Sequence, residues 1–315
     1  MTDFIVAVVA TCKRPRELAR LLGSLEKAGP GLGAVVVVDN GNEEGIRKIV
    51  ETAACNARYF APGENLGCGG GLRLGGEKAF ELFEHELTHL WILDDDAVVP
   101  PGAPEALANA MRTEQAEIAC PMVADARGRI GWFPGLLDRE KFRAIRSLKT
   151  PAEFLAKCGS AAIPFSWSTG VALMVSKQAV SELGFHRADY WMRGEDLEFS
   201  LRITCRHKGI FVPGVTVEHL PPKAIQDENA RASEYLRHAV MLQNLWYTGL
   251  RLPHGRRIAR TLPGNYRRFL KTWSWRSAGD GLRAFWLGAV LGKPAGTAGG
   301  DFFRQRERAQ VGLEK

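Results

Sequence analysis

Residues 88–96 read Thr-His-Leu-Trp-Ile-Leu-Asp-Asp-Asp, a strand pattern that runs straight into three acids. The continuous apolar run suits a strand covered on both faces. In extended chain, residues two apart share a side, so Asp94 and Asp96 face one point while Asp95 faces away. Three adjacent carboxylates repel one another and are costly beside a buried strand unless a cation or hydrogen-bond donors compensate. Hard oxygen ligands suit Mg²⁺ or Mn²⁺, and a diphosphate-bearing ligand would complete the shell. An acidic turn bathed in solvent is the other reading of the same residues.

The same alternation runs through the preceding chain. Residues 4–10 form a continuous apolar strand, after which Leu18, Leu21, Leu22 and Leu25 fall at helical spacing. Pro15 stands near the start of that helix and Gly29-Pro30 stops it. Residues 34–38 are a second buried strand ending on Asp39-Asn40-Gly41, followed by a helix over 46–53 and a short strand over 58–60. Asn65-Leu66-Gly67-Cys68-Gly69-Gly70-Gly71 reads as a loop entering a helix over 72–86. This order predicts an α/β fold with a mostly parallel sheet and helices on both faces. Ligands of such sheets collect at the carboxyl ends of the strands, and Asp39, Asn65 and the acidic triplet all stand at or near such ends. The second half is less regular. It predicts a strand over 167–175, a helix over 197–208, a strand-rich return over 209–220 that carries His219, and a longer helix over 227–250.

Composition sets the bounds. The 315 residues suffice for one large α/β domain and a smaller appendage. The six cysteines are scattered with no metal-ligand or redox spacing, which argues against a zinc site and for a reducing compartment. The first strand lacks the basic flank and cleavage site of a signal peptide, and no apolar run approaches the ~20 residues that span a bilayer. A cytoplasmic protein is expected, free or at the inner face of the cell membrane. The net charge of +7 is uneven: residues 251–315 hold 14 Lys/Arg against 4 Asp/Glu, and the remainder holds 28 against 31.

Other segments carry chemistry with an ordinary alternative beside it. The glycine-rich 65–71 segment suits backbone amides approaching a phosphate, although it is neither a Walker loop nor a strict dinucleotide fingerprint. Arg193-Gly194-Glu195-Asp196 precedes a helix, where carboxylates serve as caps and dipole partners; the alternative is a general base, Asp196, that takes a proton from an attacking hydroxyl. His219 alone reads as a structural or exposed side chain.

In order, these segments resemble the family-2 glycosyltransferases with the GT-A fold, a Rossmann-like architecture. The matching pieces are Thr11-Cys12-Lys13-Arg14-Pro15, Val38-Asp39-Asn40, the 65–71 segment, Trp91 through Asp96, Gly194-Glu195-Asp196 with Phe199-Ser200-Leu201-Arg202, and Glu218-His219. The galactofuranosyl- and rhamnosyltransferase-like branch is the most similar, with its Asn-Leu-Gly loop, Asp triplet and late histidine. The resemblance implies that Thr11, Arg14 and Asp39 contact the base and ribose of a nucleotide-sugar donor, with Asn65 and Gly67 holding that nucleotide and Asp95 the ribose or sugar. It implies Asp94, Asp96 and His219 as ligands of Mn²⁺ or Mg²⁺, and Asp196 as catalytic base beside Glu195, which stands where parts of the branch carry a second aspartate. The product is an inverted glycosidic linkage on a glycan or lipid-linked acceptor.

Residues 1–250 are then the nucleotide-sugar-binding and catalytic domain, and residues 251–315 a helical basic extension. That tail interleaves its charge with Tyr266, Phe269, Trp273, Trp275, Phe285, Trp286, Phe302 and Phe303. Such a mixture suits an anionic membrane face or nucleic acid, and the acidic body argues against nucleic acid. The plainer reading is that the aromatics pack the segment onto the domain. A nucleotidyltransferase is the rival enzyme, but Thr11–Pro15 lacks the glycine-rich phosphate loop it wants; a non-catalytic binding module is the rival of another class.

Overall fold

The computed structural model describes residues 3–136, 145, 147–220, 228–273 and 277–310. Its strands are β1 (Ile5–Thr11), β2 (Leu32–Asp39), β3 (Ala57–Phe60), β4 (His89–Asp94), β5 (Ala97–Val98), β6 (Ile118–Ala124), β7 (Ile130–Trp132), β8 (Gly135–Leu136), β9 (Ile163–Trp167), β10 (Ala172–Ser176) and β11 (Gly209–His219). The main sheet runs β3-β2-β1-β4-β10-β6-β11-β9-β8. Its β3-β2-β1-β4 half is parallel throughout, as the βαβ order predicts, and β11 lies parallel to β6. The Val- and Ile-rich β1 is buried along its length because helices cover both faces of the sheet.

The helices of the first half are α1 (Pro15–Leu25), α2 (Glu44–Glu51), α3 (Gly67–Phe83), α4 (Ala103–Glu114), α5 (Pro151–Cys158) and α6 (Lys177–Leu183). Leu18, Leu21, Leu22 and Leu25 form the buried stripe of α1, and Pro15 opens it where no intrahelical N–H is needed. After them come α7 (Glu195–Thr204), α8 (Glu228–Arg251), α9 (Arg256–Ala259), α10 (Leu262–Trp273), α11 (Ala278–Phe285) and α12 (Phe302–Gln310).

Two expectations about local structure are corrected. The single strand expected over 167–175 is two strands, β9 and β10, broken at 168–171. The break is required because β9 pairs with β11 while β10 lies between β4 and β6, three places from β9 in the sheet. The glycine run is not a loop either, since α3 begins at Gly67 and Gly69, Gly70 and Gly71 lie inside it. Close packing against the sheet explains two glycines of α3, Gly71 and Gly75. A Cβ on Gly71 would stand 2.9 Å from Ala10 Cβ, and one on Gly75 would stand 2.5 Å from Val8 Cγ1, so the missing side chains let α3 press onto the sheet. Gly75→Val is therefore expected to lower stability by about 2 kcal/mol through overpacking, measured by denaturant titration. Gly45→Ala in α2, where a Cβ would meet nothing within 4 Å, is the control and should be neutral or mildly stabilising.

By its contacts the chain packs as two compact units. The first comprises residues 1–66, 71–185 and 199–222, and the second residues 67–70, 186–198 and 223–315. The segment that composition sets apart, 251–315, thus packs in a unit that also contains 186–198 and the whole of α8. The core of this second unit gathers Leu236, Ala239, Val240 and Leu242 of α8 with Trp191, Phe269, Ala284, Leu287 and Phe303.

Candidate functional site

Register fixes the first half of the site. Thr11 pairs with Asp39 across β1 and β2, and Ala10 pairs with Asp94 across β1 and β4, so Thr11, Asp39 and Asp94 share one carboxyl edge of the parallel sheet. The chain turns at Asp95-Asp96 into β5, whose Ala97 pairs antiparallel with His219 of β11. The Leu220 amide also donates to the Asp96 carbonyl at 3.0 Å. This backbone pairing, across more than a hundred residues of sequence, carries His219 to the acidic turn. Its Nε2 lies 3.0 Å from Asp96 Oδ1 and 3.7 Å from Asp94 Oδ2.

Asp95, in the turn that follows β4, is not part of that group and is buried. It accepts a hydrogen bond from Thr11 Oγ1 at 2.7 Å, and the Arg14 guanidinium bridges it to Asp96, whose Oδ2 lies 2.7 Å from Arg14 Nη2. Burial pushes the Asp95 carboxyl up to about 6, with Arg14 and Thr11 opposing the rise. For Asp96, burial pulls upward, but His219 and then Arg14 outweigh it and hold the carboxyl below the usual range. The Arg14–carboxylate pairs thus supply the compensation that three adjacent acids require, and Thr11 and Arg14 set the geometry of the turn.

The donor set fits a divalent cation. One ligand atom each from Asp94, Asp96 and His219 lie within 4.8 Å of one another, as atoms ~2.0–2.6 Å from a common centre would. Asp96 Oδ1 is buried and, among the described residues, accepts no well-aligned hydrogen bond even though His219 Nε2 faces it. Two carboxylates and an imidazole suit a divalent cation of hard or borderline character, not a soft metal.

The remaining expected nucleotide contacts are placed as follows. Asp39 is buried, and its carboxylate accepts the Gly41 amide at 2.8 Å, the Glu43 amide at 2.7 Å and the Tyr59 hydroxyl at 3.0 Å. It organises the turn after β2. Asn40 Oδ1 accepts the Leu66 amide at 3.1 Å and ties that turn to the segment before α3, and Asn65 Nδ2 stands 3.9 Å from Cys12 Sγ. Gly67 has φ +73°, and a Cβ there would collide with the Trp191 ring and carbonyl. Glycine is required at this position on both counts.

Glu195 and Asp196 lie in the first turn of α7, not ahead of the helix. Glu195 is buried while Asp196 is partly exposed, with its Oδ1 accepting the Leu197 amide at 2.7 Å. The approach to this turn is strained: Trp191 and Arg193 adopt φ +62° and +58°, a region non-glycine residues seldom occupy. Asn244 of α8 holds it. Its Nδ2 lies 3.0 Å from the Tyr190, Met192 and Arg193 carbonyls alike, and its Oδ1 accepts the Ala295 amide at 3.0 Å. Arg193 further forks onto Glu234 at 2.8 and 2.9 Å.

Asn244 is a residue that reading the sequence for chemistry passes over. Its signal is an amide pair, Gln243-Asn244, both fully buried on a helix whose other buried side chains, Ser233 and Thr248 aside, are apolar. Asn244→Ala leaves several buried backbone groups without partners and is expected to lower stability by about 3 kcal/mol. A shift in denaturant midpoint worth less than ~1 kcal/mol would refute the clamp.

Solved structures of similar fold agree with this architecture. TM-scores are 0.58 to Staphylococcus aureus TarS 1–349 (12% identity, 98% of this chain and 88% of that one) and 0.56 to GalNAc-T7 with UDP, GalNAc and Mn²⁺ (15% identity, 88% and 58%). At these identities the likeness is one of fold, and the fold is the GT-A α/β architecture with a helical C-terminal region. The family described as Glycosyl transferase family 2 matches residues 6–167, from β1 through the acidic turn to β9, and the chain belongs to that family. Among its relatives is Galactofuranosyltransferase GlfT1 of Mycobacterium tuberculosis H37Rv, 26% identical over 212 residues, covering 64% of this chain and 65% of that protein. The protein of the same name from Mycolicibacterium smegmatis is 32% identical over 95 residues, 30% of each chain. The match thus spans a little under two thirds of the curated relatives' length at most. These relatives bear out the likeness to the galactofuranosyltransferase branch.

Proposed function

We propose that the chain is an inverting, metal-dependent glycosyltransferase that moves galactofuranose, rhamnose or another hexose from a UDP- or dTDP-sugar to a hydroxyl of a glycan or lipid-linked acceptor. The observation that supports this reading most is the meeting of Asp94, Asp96 and His219 at the carboxyl edge of the sheet in a family-2 chain. Base and ribose are assigned to Thr11 and Asp39 at the ends of β1 and β2 and to Arg14 after β1, and the hold on the nucleotide to Asn65 and Gly67. Asp94, Asp96 and His219 would hold Mn²⁺ or Mg²⁺, which when bound supplies positive charge against the charge growing on the departing diphosphate.

Thr11 and Arg14 position the turn that follows Asp94 and carries Asp96, and favour the charged form of Asp95 against its burial. Asp196, fixed by the start of α7, takes the proton of the acceptor hydroxyl as its oxygen bonds the anomeric carbon. The bond from that carbon to the diphosphate breaks on the opposite side, so configuration inverts and no covalent sugar–enzyme bond forms.

A panel of UDP- and dTDP-sugars, with Mn²⁺ present, tests the reading by thermal stabilisation and by release of nucleoside diphosphate. One donor should raise the unfolding temperature by several degrees and release its nucleotide only with metal. Stabilisation without any release would favour a binding module, and release of pyrophosphate from a nucleoside triphosphate would favour the nucleotidyltransferase.

A further inference from the structure

We propose that one face of the second unit, made by Leu250, Leu282, Trp286, Val290 and Leu291, docks on an anionic lipid bilayer. The sequence leaves two readings of the tail's aromatics, such a contact or packing onto the domain. The structure packs most of them: Phe269 and Phe303 are buried, Tyr266 and Trp273 pack against this unit's core, and Phe285 stands edge-on to Trp246. Trp275 lies outside the described residues. Trp286 is the large exception, 54% exposed.

The exposed side chains around Trp286 are aliphatic. Leu282 is 59% exposed, Leu250 51%, Leu291 46% and Val290 39%. Leu282, Trp286 and Val290 follow one another at four-residue spacing where α11 continues into the wide turn Trp286–Val290, and so stand on one side of it. Arg251 donates to the carbonyls of Ala289 and Val290, which seats the end of α8, with Leu250, beside that turn. Gly288 lets the two segments touch, since a Cβ there would collide with the Gln243 carbonyl. Scattered exposed leucines need no explanation, but exposed aliphatics on one side of a turn, beside the helix end bonded to it, mark a contact surface.

Charge selects the occupant. Residues 250–300 hold ten Lys/Arg and one acid, Asp280, which is already bonded by Tyr235 and Arg306. Arg251, Arg256, Arg257 and Arg283 are exposed in the segments that carry or adjoin the apolar face. An apolar patch flanked by cations matches the layering of an anionic bilayer, with acyl chains beneath negative headgroups. Among the described residues no helix is long and apolar enough to cross a membrane, so the contact is peripheral.

This inference extends the lipid-linked acceptor reading but is tested without transfer, so either can fail alone. The full chain is sedimented with vesicles of phosphatidylcholine alone and with 30% phosphatidylglycerol, at low and high salt. It should bind the anionic vesicles and release in high salt, because each cation near the surface is worth about fivefold in partition. The double variant Leu282→Asp/Trp286→Asp should keep its unfolding temperature, since both side chains are exposed, and lose at least about tenfold in binding. Arg256→Ala/Arg257→Ala should lose binding at low salt only. No binding by the wild type overturns the proposal, as does equal binding by the aspartate variant. Self-association through this face, seen by light scattering without vesicle binding, overturns it in favour of a second copy of the chain.

Discussion

Asp196→Asn is expected to fold normally, to bind its nucleotide sugar with unchanged affinity, and to lose transfer by about 10²–10⁴-fold, the usual worth of general-base assistance. The substitution keeps shape and hydrogen-bonding capacity at the first turn of α7 and removes only the ability to take a proton. Glu195→Gln is the control because Glu195 is buried while its neighbour is partly exposed. Both carboxylates profit from the helix N-terminus, so a difference between the two variants reports proton transfer and not helix stability. Loss of activity in Glu195→Gln with retention in Asp196→Asn would exchange their roles.

Asp94→Asn should have an effect of similar size for a different reason. Asp94 is the most exposed member of the acidic turn and does not share the Arg14 pairing, so its loss should change stability by no more than ~0.5 kcal/mol. Transfer should nevertheless fall by about 10²–10³-fold at fixed Mn²⁺, with part of the loss restored by more metal. A variant with wild-type activity and wild-type metal response would remove Asp94 from the ligand set. Asp96→Asn is less clean, because Asp96 also pairs with Arg14 and lies buried, so stability falls with activity.

How much of this was legible in the sequence depends on the range of the interaction involved. The βαβ series and the buried stripe of α1 follow from local periodicity; Asp94 and Asp96 do meet, but through the turn at Asp95-Asp96, since the strand whose alternation suggests it ends at Asp94. The partnership of His219 with the triplet had no local signal and came from family resemblance, because it depends on β5 pairing with β11. Arg14 illustrates the opposite difficulty. Its position after β1 was plain, but its engagement with Asp95 and Asp96 depends on the β1–β4 register. The 69–71 glycines read as loop because glycine disfavours helices, whereas they lie inside α3, where Gly71 packs tightly against Ala10 of β1. Asn244 and the burial of Phe269 and Phe303 are properties of helix–helix packing that a linear pattern of charge and aromatics does not encode.

Counting bound Mn²⁺ by electron paramagnetic resonance in the presence of UDP tests the central claim most directly. The account predicts about one bound ion per chain for the wild type, and loss of that ion in Asp94→Asn/His219→Gln at the same free metal concentration. Undiminished binding in the double variant, or no bound Mn²⁺ in the wild type with UDP, would contradict it.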